Sequence, residues 1–138
     1  MVANCTLTMD AAKSATATFL KGPDLAPQGL HVTRITKRGK DYLSFLLTIR
    51  NVGNTPLTGT FVVRFYRSTD QTWDGGDTLL LTRTVRVTRL APSRTTSLIG
   101  AATVPSPSHG RFLLGVIDAT NTIVESNETN NLATAVIP

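Results

Sequence analysis

Hydrophobic and polar residues alternate along much of the chain after Leu30, which is the pattern of β-strands buried on one face. The clearest segment is DYLSFLLTIR at 41–50, in which every second residue from Leu43 to Ile49 is large and hydrophobic. NVGNTP at 51–56 then ends the strand, because Asn and Gly accept left-handed backbone angles and Pro56 has no amide proton for a β-ladder. The alternation therefore predicts a half-buried strand followed by a turn.

GTFVVRFYRS at 59–68 predicts a further strand. Its alternation buries Phe61, Val63 and Phe65 and exposes Arg64 and Tyr66. TLLLTRTVRVTRL at 78–90 predicts either two strands or one bent strand, with a bulge or break near Thr82 to Thr84.

Three more strands are predicted in the last third of the chain. A weaker strand ends at Val104, and the loop PSPSHG separates it from RFLLGVID at 111–118. In RFLLGVID the side chains of Phe112, Leu114 and Val116 face one way, and LATAVIP at 132–138 closes the pattern.

Hydrophobic residues never recur at the three- and four-residue spacing of a helix, so almost no helix is predicted. Together with a first strand after Leu30, the count is seven strands, or eight if 78–90 is broken, in about 110 residues. That count is typical of an all-β, immunoglobulin-like, seven-stranded antiparallel β-sandwich. The cysteine and tryptophan core of antibody domains is missing, because Cys5 precedes the sandwich and Trp73 lies in a loop.

The first 22 residues have a different pattern. CTLTM, the turn DAAKS and ATATF predict a hairpin, and KGPD reads as a linker. A lone hairpin is marginally stable in water, so it pairs with an edge of the sandwich, pairs with a second copy in a weak homodimer, or stays mobile. We divide the chain into an N-terminal hairpin with linker at 1–22 and a sandwich domain at 23–138.

The chain carries 14 Lys and Arg against 9 Asp and Glu, a net charge of +5 that raises nucleic acid as a partner. The basic residues are spread through strand-like segments, as on solvated faces, so we do not expect nucleic-acid binding. Membrane insertion is not expected either, because no segment reaches the roughly 18 to 20 apolar residues of a membrane span. A secretion signal is missing from the sequence, so we expect any such signal to lie outside this fragment.

Sequence signatures of catalysis are missing. The chain contains no G-x-S-x-G, no H-E-x-x-H and no phosphate-binding glycine loop. The single cysteine, Cys5, has no histidine near it in the sequence, and His31 and His109 are far apart. We therefore expect a protein that is not an enzyme, with both histidines at loops or edges.

Six of the nine acidic residues lie in two short segments. STDQTWDGGD at 68–77 and DATNTIVESNETNN at 118–131 contain Asp70, Asp74, Asp77, Asp118, Glu125 and Glu128. Calcium binds six to eight oxygen ligands, so these carboxylates are a candidate calcium site if the two segments meet. The spacing is not that of an EF-hand.

The alternative is that these oxygens bind the chain's own backbone. In that interpretation Asn127, Asn130 and Asn131 fix the turn before the last strand, and Ile123 and Val124 fold beneath it as a small apolar plug. We favour this structural interpretation, leave calcium open, and expect no required cofactor.

Trp73 is the only tryptophan and lies between polar residues. An exposed indole can stack on a sugar ring or anchor a protein partner, whereas a structural indole would lie flat on a neighbouring strand. With Tyr66 exposed nearby, Trp73 and Tyr66 are the candidate ligand-binding residues, for carbohydrate or protein.

A series of motifs resembles the CARDB family, a cell-adhesion-related domain found in bacteria. The motifs are PDL at 23–25, TIRNVGNTP at 48–56, FYRSTD at 65–70, GDTLL at 76–80, GRFLLGVID at 110–118 and ESNETNN at 125–131. The resemblance covers 23–138 and implies a bacterial or archaeal extracellular sandwich, commonly one of several repeats in a surface or secreted protein. Its partners would then be the neighbouring domains of the parent chain. Such modules are often acidic, and this one departs from them in being basic.

The opening NCTLTMDAAKSATATF looks like the end of another bacterial surface repeat, which implies that Cys5 has its disulfide partner upstream. The resulting expectation is a non-catalytic extracellular or cell-surface module acting in adhesion or as a structural spacer. The alternative is a carbohydrate- or protein-binding domain assisted by calcium.

Overall fold

The computed structural model describes residues 21–138, which form seven antiparallel β-strands in two packed sheets. The strands are β1 (Leu25–Lys37), β2 (Lys40–Asn51), β3 (Leu57–Ser68), β4 (Thr78–Leu90), β5 (Thr95–Pro105), β6 (Phe112–Val116) and β7 (Leu132–Val136). One sheet has the order β1-β2-β5 and the other the order β4-β3-β6-β7. The predicted all-β, seven-stranded immunoglobulin-like sandwich is confirmed.

Two sequence predictions lie largely outside this description. The structure does not describe residues 1–20, where the predicted hairpin, its homodimer contact and Cys5 lie. Of the unit predicted at 1–22, it describes only Lys21 and Gly22. Within residues 21–138 no helix is long and apolar enough to cross a membrane.

The core lies between the inner faces of the two sheets. Strand β2 contributes the predicted alternating residues from Leu43 to Ile49, and β3 contributes residues from Phe61 to Phe65. The rings of Phe45 and Phe65 meet across the core with centroids 4.6 Å apart. Gly100 pairs with Phe45 across β2 and β5, and a Cβ there would lie 2.1 Å from the Phe45 ring. Only glycine leaves room for the ring at that place.

The prediction that Tyr66 is exposed is wrong. Tyr66 points away from the main core, as alternation requires, but it belongs to a second apolar cluster with Leu114 and Val116. The prediction that Phe112, Leu114 and Val116 share one face of β6 is confirmed. That face belongs to the smaller cluster, whereas Leu113 and Ile117 enter the main core. The outer face of this sheet is covered by other parts of the chain, and periodicity cannot reveal such a cover.

The segment 78–90 forms one strand. Its pairing with β3 shifts register beside Gly59 and between Phe65 and Tyr66, so the irregularities lie near both ends of β4 and not at Thr82 to Thr84. A single bent strand, one of the two predicted alternatives, is what forms.

The chain enters the sandwich at one end and leaves it at the other. The proximal end holds Leu25, the first residue of β1, paired with Asn51, the last residue of β2. The distal end holds the Arg38–Gly39 turn, whose residues both have positive φ, and the Arg34 side chain, which donates a hydrogen bond to the carbonyl of Pro138. Leu25 and Arg34 are separated by nine residues of strand, or about 30 Å at ~3.3 Å per residue.

Asp41 organises the distal end. Its buried carboxylate accepts hydrogen bonds from the Thr36 hydroxyl at 2.6 Å and the Ser108 amide at 2.6 Å, and it pairs with Arg34 at 3.3 Å. The Thr36 hydrogen bond is the largest cause that lowers the pKa of Asp41 to about 2. The ionised carboxylate thus joins β1, β2 and the loop before β6.

Candidate functional site

A groove lies between the two acid-rich segments that the sequence singled out. Its volume is about 280 Å³, and its lining consists of Thr72, Trp73, Val116, Glu128, Thr129, Asn131 and Leu132. The loop after β3 therefore does approach the 118–131 segment, and it does so through Trp73. The aspartates of that loop are not among the lining residues.

Trp73 forms one wall of the groove and is 47% exposed. Its ring packs at a tilt against Tyr66, with centroids 5.9 Å apart and an interplanar angle of 49°. Of the two candidate ligand-binding residues, Tyr66 is buried beneath and Trp73 presents its surface to solvent. A bound molecule in the groove would contact Trp73.

The aspartates between β3 and β4 bind their own loop. Asp70 accepts a hydrogen bond from the Thr72 amide at 2.7 Å, and Asp74 accepts one from the Gly76 amide at 2.7 Å. Asp77 accepts one from the Asp74 amide at 3.0 Å. All three side chains close turns, which is the role that Asp takes most often in loops.

Asp118 and the ESNETNN motif form a second set of closed turns. Asp118 accepts hydrogen bonds from the amides of Thr122 and Ile123 at 3.1 and 2.7 Å. Asn127 accepts one from the Thr129 amide at 3.1 Å, and Glu128 accepts one from the Glu125 amide at 2.9 Å. Of the two residues in the predicted apolar plug, Ile123 packs against the core, whereas Val124 is 87% exposed.

The same motif also holds the start of the domain. The Asn130 side-chain amide donates to one oxygen of Asp24 at 2.8 Å, and the Ser126 hydroxyl donates to the other at 3.3 Å. The Ser126 amide donates to the Pro23 carbonyl at 3.0 Å. These contacts join residues more than a hundred positions apart in sequence, so PDL and ESNETNN are two halves of one structure.

Asn51 joins three further segments at the proximal end and is fully buried. Its oxygen accepts from the amides of Asp24 and Gly53 at 3.1 and 3.0 Å, and its nitrogen donates to the carbonyls of Leu90 and Thr55 at 2.8 and 2.9 Å. We call Asn51 and Asp24, with the groups they bind, the proximal clasp. The sequence identified Asn51 only as a turn residue. Its place in the alternation that runs from Leu43 to Ile49 is the sequence signal that indicates a buried side chain.

Glu125 differs from the other acidic residues of the two segments. It is 8% exposed, and neither carboxylate oxygen makes a hydrogen bond of regular geometry. Burial raises its pKa to about 7; the Asn131 side chain and the Leu25 amide act in the opposite direction, and the carboxylates of Glu128 and Asp118 raise it further. Asn131, the third predicted turn amide, likewise has a buried oxygen without a partner.

Calcium binding stays a prediction. Within residues 21–138, no three His, Cys, Asp or Glu side chains converge as a metal-binding group. His31 is exposed on the outer face of the β1-β2-β5 sheet, opposite Leu46, and His109 is exposed in the loop before β6. The buried oxygens without a hydrogen bond of regular geometry belong to Glu125, Asn130 and Asn131, and none of them lies in the aspartate loop.

The CARDB family model matches residues 22–135 of the chain. The crystal structure of a CARDB domain from Pyrococcus furiosus, in complex with di-metal ions, is similar with a TM-score of 0.62 and 24% identity, covering 87% of this chain and 96% of that one. The solution structure of a domain from a predicted cell surface protein of Methanosarcina acetivorans is similar with a TM-score of 0.61 and 25% identity, covering 83% and 90%. No curated protein matches the chain.

Proposed function

Because the chain belongs to the CARDB family, a non-catalytic domain family, we propose that it is a module of a larger bacterial or archaeal surface or secreted protein and acts as a structural spacer. The observation that carries this proposal is the placement of the chain ends. Residues 22–24 dock at the proximal end, and Pro138 is held by Arg34 near the distal end. Neighbouring domains joined there would be kept apart by the length of the sandwich.

The strand arrangement suits such a role mechanically. A pull on the two chain ends acts along β1 from its first residue and along β7 from its last residue, in opposite directions. Each of these strands is hydrogen-bonded to an antiparallel neighbour, β2 and β6 respectively, so the ladders are loaded in shear and many hydrogen bonds resist together. Adhesion would use the same property, since an adhesive surface protein transmits force along its length.

Single-molecule pulling tests the spacer function. With the force applied through Lys21 and Pro138, the domain is expected to unfold at a several-fold higher force than with attachment at Lys21 and Val52. The second pair lies at one end of the β1-β2 hairpin, so pulling on it opens the ladder one hydrogen bond at a time. Equal unfolding forces in the two geometries would contradict a load-bearing spacer.

A second candidate function, carbohydrate binding, rests on the Trp73 groove. An exposed indole provides an apolar face for a sugar ring, and Glu128 and Asn131 place polar groups beside it. At about 280 Å³ the groove is slightly smaller than typical ligand pockets of roughly 300 to 1,000 Å³ and suits one sugar ring. The relative from Pyrococcus furiosus, which is in complex with di-metal ions, supports including a metal ion in the assay.

A glycan array with and without calcium separates the two functions. If the groove binds sugar, binding is saturable and falls at least about tenfold in Trp73→Ala, since a stacked aromatic is a typical hot spot. Ile99→Ala is the matched control, because Ile99 is also an exposed hydrophobic residue but lies on the outer face of the other sheet. Binding that is absent, or unchanged in Trp73→Ala, would leave the spacer function alone.

A further inference from the structure

Four buried oxygens in the ESNETNN motif make no hydrogen bond of regular geometry. They are both carboxylate oxygens of Glu125 and the side-chain oxygens of Asn130 and Asn131. The fifth unpartnered buried polar atom in residues 21–138 is the Arg50 Nε. Buried polar groups without a partner are costly, and native structures contain few of them. Four such oxygens within seven residues can accept a bound cation or hydrogen-bond donor.

The orientation of Asn130 is fixed by its neighbour. Its nitrogen donates to Asp24 at 2.8 Å, and exchanging the amide nitrogen and oxygen would place two oxygens against each other. The Asn130 oxygen must then point away from Asp24, and it remains buried and unpaired. The hydrogen bond to Asp24 therefore determines that the unpaired atom of Asn130 is its oxygen, an acceptor.

The charge at this end of the domain is also unbalanced. Glu125 interacts with the carboxylates of Glu128 and Asp118, and Asp24 lies beside them through Asn130. Among residues 21–138 the one ion pair is Arg34 with Asp41, at the distal end. The carboxylates of Glu125, Glu128 and Asp118 thus interact without an ion pair to a Lys, Arg or His of the described chain.

From this arrangement we propose that Glu125, Asn130 and Asn131 bind a hard divalent cation of the calcium type. Carboxylate and amide oxygens are its usual protein ligands, and calcium accepts irregular sets that water completes, whereas magnesium demands a near-octahedral set. The site uses one carboxylate residue and two amides, so it is not a cluster of three acidic side chains. It also does not use Asp70, Asp74 and Asp77, each of which uses one carboxylate oxygen to close its own loop.

The cation would hold the start of β1 against the segment that leads into β7. Glu125 lies beside the amide of Leu25, where β1 begins, and Asn131 immediately precedes β7. This inference goes beyond the spacer function, which does not require a metal, and makes the stiffness of the proximal end depend on calcium.

Terbium luminescence and thermal unfolding of the 138-residue chain test the site. Terbium replaces calcium in oxygen sites, and Trp73 lines the groove that Asn131 also lines, so excitation of Trp73 is expected to sensitise terbium emission that calcium displaces. Calcium is expected to raise the melting temperature and a chelator to reverse the rise, because a ligand of the folded state stabilises it by mass action.

Glu125→Gln is the diagnostic variant, because it keeps the shape and removes the charge. It is expected to fold and to bind calcium at least about tenfold more weakly. Asp74→Asn is the matched control and should keep calcium affinity within about twofold. The proposal is overturned if the wild type shows neither emission nor a calcium-dependent melting temperature, if Glu125→Gln binds equally well, or if Asp74→Asn abolishes binding.

Discussion

Replacing Asn51 by Asp is expected to lower the free energy of unfolding by about 3–5 kcal/mol, the range for breaking a buried, fully paired polar network. The substitution preserves size and shape. It turns the nitrogen that donates to the carbonyls of Leu90 and Thr55 into an oxygen that repels them, and it buries a charge. Urea denaturation monitored by Trp73 fluorescence measures the effect, and the denaturant slope shows whether the native state remains compact.

Asn54→Asp is the control for the added charge. Asn54 lies three residues further on and is exposed, and its oxygen accepts the Gly22 amide, a role that a carboxylate keeps. Its effect is expected to stay within about 0.5 kcal/mol, as for most surface substitutions. Equal losses in the two variants would show that charge at this end, and not the Asn51 network, determines stability.

The sequence predicted the strands well where one face is buried and the other is wet. β2 is the best case, because its alternation from Leu43 to Ile49 reports the core face directly. It failed for Tyr66, because both faces of β3 are buried beside β6 and a period-two pattern then has no polar half. The burial of Tyr66 thus depends on residues that pack on the outer face of the sheet, such as Ala119.

The site was predictable only in part, because some of its contacts join residues that are far apart in the sequence. Turn chemistry within a few residues, as in Asp74 or Asn127, follows from local spacing. The contacts of Asn130 with Asp24 and of Asn51 with Leu90 cross 106 and 39 positions, and no local pattern encodes them. The burial of Glu125 likewise depends on where β1 begins in space.

The polar side chains of ESNETNN have different structural roles. Asn127 and Glu128 close the turn, and Ser126 and Asn130 hold Asp24 of the proximal clasp. Both tasks keep the start of the domain in a fixed position, as a spacer requires. The side-chain oxygens of Glu125, Asn130 and Asn131 serve neither task.

Gly53→Ala is expected to detach the proximal clasp and to cost about 2–3 kcal/mol, the upper part of the range for overpacking a closely packed site. A Cβ at this position would lie 2.4 Å from the Gly22 carbonyl oxygen and 2.6 Å from the Asp24 nitrogen. Both are backbone atoms, so no side-chain rotation can relieve the overlap and the segment 22–24 must move. Its hydrogen bonds to Val52 and Asn54 would then weaken.

Amide hydrogen exchange provides the local measurement, because it reports opening at single residues. In Gly53→Ala the amides of Asp24, Val52 and Asn54 are expected to lose protection, while those of the distal end keep it. Gly75→Ala is the matched control: its added Cβ meets nothing within 4 Å, so stability should change by less than about 0.5 kcal/mol. Unchanged protection at Asp24 and Val52 in Gly53→Ala would mean that the clasp does not depend on this close approach, and that the linker's docking has another cause.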